Sequence, residues 1–344
     1  MQQRKVVRIG PSHYHVGHIV PAMVAKEMTY FEEEGLTSYE LWQGGLIPAI
    51  AEKYALRRAM TERSVDIVPD VRPSAVFSLA SQGEDVHIVG CWRNRQDWTW
   101  YGAKGLKSFA DLKGKRVGVR DFGGIDHTSV RTALKRFGLD PHRDVTYVRG
   151  ASFHPHEHPE VALREGEVDV IYLDGEDSRG LLDEGFPLLL KSRDLYPRGR
   201  SDRVTIATGR MVEEDTDLLE AYLRAIIRAY WFITDYGVNR PYLEGLVKRL
   251  RQTCMDEEEA GRSGVEGGGR LSLPLDGAPG VEGLEDMVSE GKEMGETDDA
   301  FQLASILRLE FVERAFNELR ARPELQEQLA KVQEIFAERD RASA

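Results

Sequence analysis

The chain has 344 residues, of which 41% are hydrophobic and 30% are charged. This length exceeds the about 250 to 300 residues that one hydrophobic core usually organises, so we expect two lobes. The formal net charge of -12, from 46 basic and 58 acidic residues, argues against nonspecific binding to nucleic acid or to anionic membranes.

Short apolar runs alternate with amphipathic helical stretches from residue 6 onward, which is the pattern of an α/β protein. In the first part of the chain the predicted strands are 6–10, 39–42, 65–68 and 86–91, and the predicted helices are 21–34, 47–62 and 74–81. A loop that is rich in turn-forming residues, 10–15, separates the first strand from the first helix.

A second set of elements begins near residue 98. Its predicted strands are 98–102, 116–119, 145–148 and 168–172, and its predicted helices are 128–137 and 160–165. A strand at 203–207 then leads into a long helix at 216–236, and the remainder is predicted to be mainly helical. We therefore expect the first part of lobe 1 at 1–97, lobe 2 at 98–202, and a return to lobe 1 with C-terminal helices at 203–344.

One acidic segment carries most of the net charge. Between Asp256 and Asp299 there are 14 acidic residues, 3 basic residues and ten glycines. Apolar periodicity is nearly absent before Val281, so this composition predicts a flexible acidic insertion at about 256–280. Its simplest role is a solvated surface loop, and the alternative is a lid or a partner-docking segment.

The first residues of the sequence and its two cysteines give an expectation about the cellular compartment. The opening MQQRKVVRIG has no apolar core and no small-residue cleavage site, so the sequence as given predicts a cytoplasmic protein, whereas a removed leader would place it in the periplasm or outside the cell. Cys91 and Cys254 form no CxxC pair, which predicts neither a disulfide framework nor a cysteine zinc site. The most apolar segment, 221–233, is interrupted by Arg224 and Arg228, so no integral membrane segment is expected.

Four stretches together resemble one family. They are PAMVAKEMTYFEEEGL (21–36), SFADLKGKRVGVR (108–120), RFGLDPHRDVTYV (136–148) and ALREGEVDVIYLDG (162–175). In order and spacing they resemble the NMT1/THI5-like branch of the type 2 periplasmic-binding-protein fold, whose members include substrate-binding proteins of ABC transporters for sulfonates, nitrate and pyrimidine precursors. The resemblance covers most of the chain up to about residue 240.

The resemblance implies an α/β fold of two lobes, each a mixed sheet flanked by helices, which closes like a clamp on one small molecule in the cleft between the lobes. General principles favour the same place, because ligands of open α/β sheets lie beyond the carboxyl ends of the strands, near helix N-termini. Two loops have that position in the sequence, 12–15 and 121–128.

The candidate ligand-binding residues lie in these loops or at predicted strand ends. Glycines let the backbone approach a ligand, tryptophans provide flat walls, and arginines bind planar oxyanions with two hydrogen bonds. Each residue also has a structural alternative. A His or Asp at a strand end can be a turn or cap residue, and a Trp can belong to the core. Thr128 or Ser129 can cap the helix that follows the loop. The candidates are Ser12, His13, Tyr14, Trp42, Asp70, Arg72, Trp92, Arg93, Gly123, Gly124, Asp126, His127, Thr128 and Asp174.

Metal and cofactor motifs are weak. His154, His156 and His158 alternate as zinc ligands on an extended segment would, but the interleaved prolines favour a polar surface loop. The sequence contains no GxGxxG, P-loop, GxSxG or HExxH motif. We therefore predict no metal and no cofactor.

Two functions are consistent with these sequence features. The first is a binding protein that captures an anionic or heteroaromatic solute, with an ABC permease as its partner if the chain is exported. The second is a cytosolic enzyme on the same fold, a decarboxylase-like or related lyase acting on a small aromatic or carboxylic acid. In the enzyme, His13, His15 or His127 would be catalytic and Arg72 or Arg93 would hold the leaving oxyanion. The resemblance to solute-binding sequences puts the binding protein first.

Overall fold

The computed structural model describes residues 5–10, 16–41, 64–95, 98–119, 122, 125–149, 159–174, 180–197, 199–253 and 272–343. Its tertiary contacts divide the chain into two compact units. Unit 1 comprises Met1–Arg95 and Arg198–Ala344, and unit 2 comprises Gln96–Pro197. No helix within the described ranges is long and apolar enough to cross a membrane.

The described strands fall in two sheets. In chain order they are β1 (Val7–Ile9), β2 (Tyr39–Leu41), β3 (Ile67–Val71), β4 (Val86–Arg93), β5 (Trp98–Gly102), β6 (Lys115–Val119), β7 (Val145–Arg149), β8 (Val170–Asp174), β9 (Leu188–Lys191) and β10 (Arg203–Thr208). The α-helices in the same ranges are α1 (Val16–Glu27), α2 (Tyr30–Glu33), α3 (Pro73–Ser81), α4 (Ile125–Arg136), α5 (Pro159–Arg164), α6 (Ser192–Leu195), α7 (Gly209–Glu213), α8 (Thr216–Thr234), α9 (Tyr236–Thr253), α10 (Val281–Glu293), α11 (Glu310–Ala321) and α12 (Gln326–Ser343).

Both units contain a mixed sheet of five described strands. In unit 1 the order is β2-β1-β3-β10-β4, with β1 parallel to β2 and β3, and β10 antiparallel to β3 and β4. In unit 2 the order is β7-β6-β8-β5-β9, with β6 parallel to β7 and β8, and β5 antiparallel to β8 and β9. The parallel strands of each sheet therefore end at one common edge.

Alternation of side chains along the strands gives each sheet two buried faces. On β5, Trp98 and Trp100 join the core beneath α4, whereas Tyr101 joins the core that contains α5. In unit 1 one face packs against α1, α8 and α11, and the other against α3 and α10. The predicted α/β class with mixed sheets flanked by helices is confirmed.

The largest correction to the predicted elements concerns the first helix. The sequence predicts one helix over 21–34, but α1 begins at Val16, contains Pro21 within it, and ends at Glu27. The chain then turns through Thr29, whose φ of 60° is left-handed, before α2 begins. A β-branched residue rarely adopts this conformation, and it interrupts the helical hydrogen bonding. The predicted helix 47–62 lies outside the described residues.

The predicted flexible insertion at 256–280 also needs correction at its end. Residues 254–271 lie outside the described ranges, but 272–280 pack on unit 1. The carbonyl of Gly277 accepts a hydrogen bond from the N–H of Cys91 at 2.7 Å, and Trp231 Nε1 donates to the carbonyl of Leu275 at 2.7 Å. Buried Leu273 supplies an apolar anchor that overall composition did not reveal.

Candidate ligand-binding site

The carboxyl edge of the unit 1 sheet is formed by β1, β2, β3 and β4. Because β10 is antiparallel to both β3 and β4, those two strands run in the same direction and end together. Helix α1 follows β1 after residues 11–15, so its first turn returns to this edge. Open α/β sheets bind ligands at such an edge.

A histidine and an aspartate form a buried pair at this edge. His18 is the third residue of α1, Asp70 is the next-to-last residue of β3, and the Nδ1 atom of His18 hydrogen-bonds to Oδ2 of Asp70. His18 is 8% exposed and Asp70 is fully buried. An ionised carboxylate only accepts hydrogen bonds, so Nδ1 carries the hydrogen and the imidazole has a fixed orientation.

Aromatic residues enclose this pair. The ring of Trp92, near the end of β4, lies 4.9 Å from the His18 ring at an interplanar angle of 52°. The indole N–H of Trp92 is buried and has no hydrogen-bond partner among the described residues, and the same holds for the hydroxyl of Tyr222 on α8. Burial raises the pKa of Tyr222, and the charge of Asp70 raises it further, so this phenol stays neutral. We call His18, Asp70, Trp92 and Tyr222 the His18 cluster.

The nearby cysteine has the character of a structural thiol. Cys91 precedes Trp92 on β4, is buried, and donates to the carbonyl of Arg203 at 3.0 Å. Burial raises the pKa of the Cys91 thiol, which keeps it protonated at neutral pH. A nucleophilic cysteine needs the opposite shift.

The two arginines predicted at strand ends of unit 1 have different surroundings. Arg72 is half-buried and lies between β3 and α3, where its carbonyl accepts from the first turn of that helix. Arg93 ends β4, with Nη1 3.3 Å from Oδ2 of Asp202 and Cζ 5.5 Å from the Trp92 ring centroid. Asp202 is therefore the acidic neighbour that a half-buried Arg93 requires.

In unit 2, four predicted residues lie on two elements. Asp126, His127 and Thr128 belong to the first turn of α4, and Asp174 is the last residue of β8, opposite Trp98 in the strand register. The expected helix cap at Thr128 or Ser129 is wrong, because α4 already begins at Ile125 and both residues lie inside it.

Three rings meet at the carboxyl edge of the unit 2 sheet. The ring centroids of His127 and Tyr147 are 4.8 Å apart, and those of Phe122 and His127 are 5.4 Å apart, with both pairs at 82°. Phe122 follows β6 and Tyr147 lies on β7. We call these three residues the aromatic cluster of unit 2.

Burial and an arginine control the charge of the aromatic cluster. Burial lowers the pKa of His127, and the positive charge of Arg131 lowers it further, against the opposing effect of Asp126. Burial also raises the pKa of Tyr147 to about 12. Both rings are therefore neutral at pH 7, while Arg131, 8% exposed, donates to Nε2 of His142 at 3.2 Å.

Sequence reasoning missed His18, Tyr222, Phe122, Tyr147 and Arg131. His18 was missed because the predicted helix began at Pro21, although apolar residues at Val16, Ile19 and Val20 continue the helical spacing upstream. The remaining predicted site residues lie outside the described ranges: Ser12, His13, Tyr14, His15, Trp42, Gly123 and Gly124.

The described residues hold no group of three or more His, Cys, Asp or Glu side chains arranged to bind a metal ion. His154, His156 and His158 lie outside those ranges.

Each unit is a mixed sheet flanked by helices, as in α/β proteins of the periplasmic-binding-protein-like class. The NMT1/THI5-like family model matches residues 17–237 of this chain. The chain belongs to the NMT1/THI5-like family, which confirms the resemblance seen in the sequence. Among curated protein sequences, none matches this chain.

Solved structures show the same fold. The periplasmic aliphatic sulphonate binding protein SsuA from Escherichia coli is 18% identical with a TM-score of 0.63, over 89% of this chain and 92% of that chain. The periplasmic nitrate-binding protein NrtA from Synechocystis PCC 6803 is 12% identical with a TM-score of 0.60, over 94% and 90%. The desulfurization enzyme DSZB is 14% identical with a TM-score of 0.58, over 92% and 99%.

At these identities the structural likeness shows the fold and not the activity. The fold therefore carries no argument for enzyme chemistry in this chain, and the decarboxylase-like alternative is not supported by the comparisons.

Proposed function

We propose that this protein is the substrate-binding component of an ABC-type import system and captures a small oxyanion. The chain belongs to the NMT1/THI5-like family. The similar proteins from Escherichia coli and Synechocystis bind a sulphonate and nitrate, respectively, and both ligands are oxyanions. A protein that passes its ligand to a transporter needs no reactive group, which agrees with the protonated Cys91 thiol.

The His18 cluster is the observation that carries this proposal. Asp70 orients the His18 imidazole beside the first turn of α1, whose N–H groups and positive dipole end favour an anion. The buried Trp92 N–H is a second donor for a ligand oxygen, since it has no acceptor among the described residues. These donors form an oxyanion site without using Arg93, which Asp202 already pairs.

We also propose a periplasmic location and a permease partner. The proteins from Escherichia coli and Synechocystis are both described as periplasmic. The comparisons do not support the cytoplasmic location that the opening residues predict. An ABC permease would then receive the bound ligand.

Isothermal titration calorimetry of the purified protein with sulfonates, carboxylates and nitrate tests the proposal. We expect saturable binding, and mass spectrometry should recover each ligand unchanged. His18→Gln should weaken binding about tenfold to a hundredfold. In the proposed site His18 is an imidazolium, which gives its Nδ1–H to Asp70 and donates to the oxyanion from Nε2, and a hydrogen bond to a charged group contributes about 1.5 to 3 kcal/mol.

The matched control is His87→Gln. His87 lies near the opposite end of β4 and pairs with the exposed Asp85 at 3.0 Å, so its replacement should leave ligand affinity unchanged. A ligand returned lighter by carbon dioxide or a sulfur oxide would overturn the binding-protein proposal. Equal weakening by both histidine substitutions would remove His18 from the site.

A further inference from the structure

Tyr222 carries a buried hydroxyl group that requires an acceptor. The residue lies on α8 and is 0% exposed, and its hydroxyl has no hydrogen-bond partner among the described residues. Burial and the charge of Asp70 both raise the pKa of Tyr222, so the phenol keeps its hydrogen at neutral pH. A neutral phenol is a hydrogen-bond donor, and native structures rarely leave a buried donor unpaired because this costs free energy.

The position of Tyr222 places this donor beside the His18–Asp70 pair. Tyr222 belongs to the same buried core cluster as Val16 and Ile19 of α1 and Trp92 of β4. The charge of Asp70 acts on its hydroxyl, and the effect of a charge decreases with distance. All of these residues belong to unit 1, so this arrangement lies within one compact unit.

Trp92 provides a second donor of the same kind. Its buried Nε1–H also has no partner among the described residues, and its ring lies 4.9 Å from the ring of His18. Two neutral donors from different elements, α8 and β4, are thus buried near one histidine–carboxylate pair. Two such donors without acceptors favour a bound group that has more than one oxygen atom.

We propose that the Tyr222 hydroxyl donates a hydrogen bond to the bound oxyanion and is a ligand-binding residue of unit 1. This inference rests on the proposed function, in which the His18 cluster binds the oxyanion. Tyr222 is then the third donor of the site, after His18 and Trp92. Its partner in the ligand-bound protein is a ligand oxygen and not another part of the chain.

Tyr222→Phe tests the inference, because it removes the hydroxyl and keeps the ring. Isothermal titration calorimetry with ethanesulfonate, acetate and nitrate measures affinity, and thermal unfolding without ligand measures stability. We expect affinity for the probes that wild-type protein binds to fall about tenfold to a hundredfold, as for the loss of a hydrogen bond to a charged group. The melting temperature should not fall, because the ligand-free protein loses no hydrogen bond.

The matched control is Tyr230→Phe. Tyr230 lies about two turns further along the same helix and is also buried, at 1% exposed. Its hydroxyl hydrogen-bonds to the side chain of Thr205, whose Oγ1 atom donates to the carbonyl of Pro69 at 2.9 Å. Tyr230→Phe removes a paired hydroxyl, so it should lower the melting temperature and leave the affinity unchanged.

The two variants should therefore show opposite effects. Loss of affinity without loss of stability in Tyr222→Phe, with the reverse in Tyr230→Phe, supports the inference. Unchanged affinity in Tyr222→Phe, or a fall in affinity accompanied by a lower melting temperature, overturns the inference and leaves the proposed function standing. Failure of wild-type protein to bind any of the three probes overturns both.

Discussion

Three arginines surround the buried carboxylate of Glu34, whose side chain is 1% exposed. Arg322 donates to both carboxylate oxygens at 2.7 Å, Arg228 donates to Oε1 at 2.8 Å, and Arg224 donates to Oε2 at 3.0 Å. Burial alone raises the pKa of Glu34, but the hydrogen bonds and charges of Arg322 and Arg228 more than offset it, and the pKa is lowered. One side chain thus joins the end of α2 to α8 and to the residue after α11.

Glu34→Gln should destabilise unit 1 by about 3 kcal/mol, because removing one partner of a buried ion pair leaves the other charges uncompensated. Urea unfolding followed by circular dichroism measures the loss. The control is Glu33→Gln, which removes a half-exposed carboxylate that pairs with Arg228 at 2.7 Å and should cost at most about 1 kcal/mol. Similar losses from both substitutions would contradict the role given to burial.

The stability difference between wild type and Glu34→Gln should depend on pH. Because the folded pKa of Glu34 is lowered, its contribution is complete above the unfolded pKa of about 4.3 and is lost as the pH falls through the folded pKa. The stability difference between wild type and Glu34→Gln should therefore be largest near neutral pH and shrink in acid. A difference that grows in acid would contradict this assignment.

Individual residues were predictable from sequence where strand ends marked them. Asp70 and Trp92 were singled out because predicted strands ended near them, and both lie at the sheet edge. Arg224 and Arg228 were noted as interruptions of an apolar segment, but their shared partner is about 190 positions earlier in the chain. Such pairing depends on tertiary packing, which local patterns do not encode.

Among the elements, β4 illustrates how an edge strand is covered. It ends the sheet order of unit 1, and an exposed strand edge invites pairing with other chains. Here the N–H of Cys91 donates to Gly277 and the N–H of Asn94 donates to Ser272, while Ile88 exchanges hydrogen bonds with Ile306 and Arg308. Irregular segments from the C-terminal part thus complete the sheet edge.

Gly277 of this segment has a left-handed backbone and no room for a side chain. Its φ is +76°, and a Cβ atom there would lie 2.9 Å from Cγ1 of Ile227 and 3.0 Å from Cγ2 of Val312. Gly277→Ala should cost about 1 to 2 kcal/mol for the left-handed backbone and a further about 1 to 3 kcal/mol for overpacking. Thermal unfolding measures the sum.

Gly295→Ala measures the cost in stability of the left-handed backbone alone. Gly295 has a φ of +68°, but a Cβ atom added there would have no other atom within 4 Å. This substitution should therefore cost only the about 1 to 2 kcal/mol of the left-handed conformation. Equal losses at the two glycines would mean that residues 272–280 do not pack on α8 and α11 as described.

Elements were predicted best where periodicity was strong. Strand β5 has the predicted bounds 98–102, and the other described strands lie within a few residues of their predictions, except β9 (Leu188–Lys191), for which the sequence predicts no strand. Prediction failed where one residue overrode the pattern, as at Pro21 inside α1 and at Thr29 after it. It also failed at residues 272–280, because the glycine-rich and acidic composition of 256–280 predicted a flexible segment although Leu273 is buried.

At the scale of the whole molecule, each unit has the internal structure of an independent domain. Each has its own five-stranded sheet among the described strands, with buried clusters on both faces. Unit 1 is discontinuous in sequence, but the ends of its two segments are adjacent, because Arg93 pairs with Arg203 in the strand register and the N–H of Asp202 donates to the carbonyl of Arg93 at 2.9 Å. A chain about 100 residues long is sufficient for a stable domain.

We therefore expect unit 1 to fold after residues 96–198 are replaced by a Gly-Ser loop of about four residues, which suits two antiparallel strands. The shortened protein should unfold in one cooperative transition by circular dichroism, as should a separate fragment of residues 98–197. The intact chain, unfolded in parallel, is the reference for both proteins. A shortened protein that melts without cooperativity would show that unit 1 depends on unit 2 for folding.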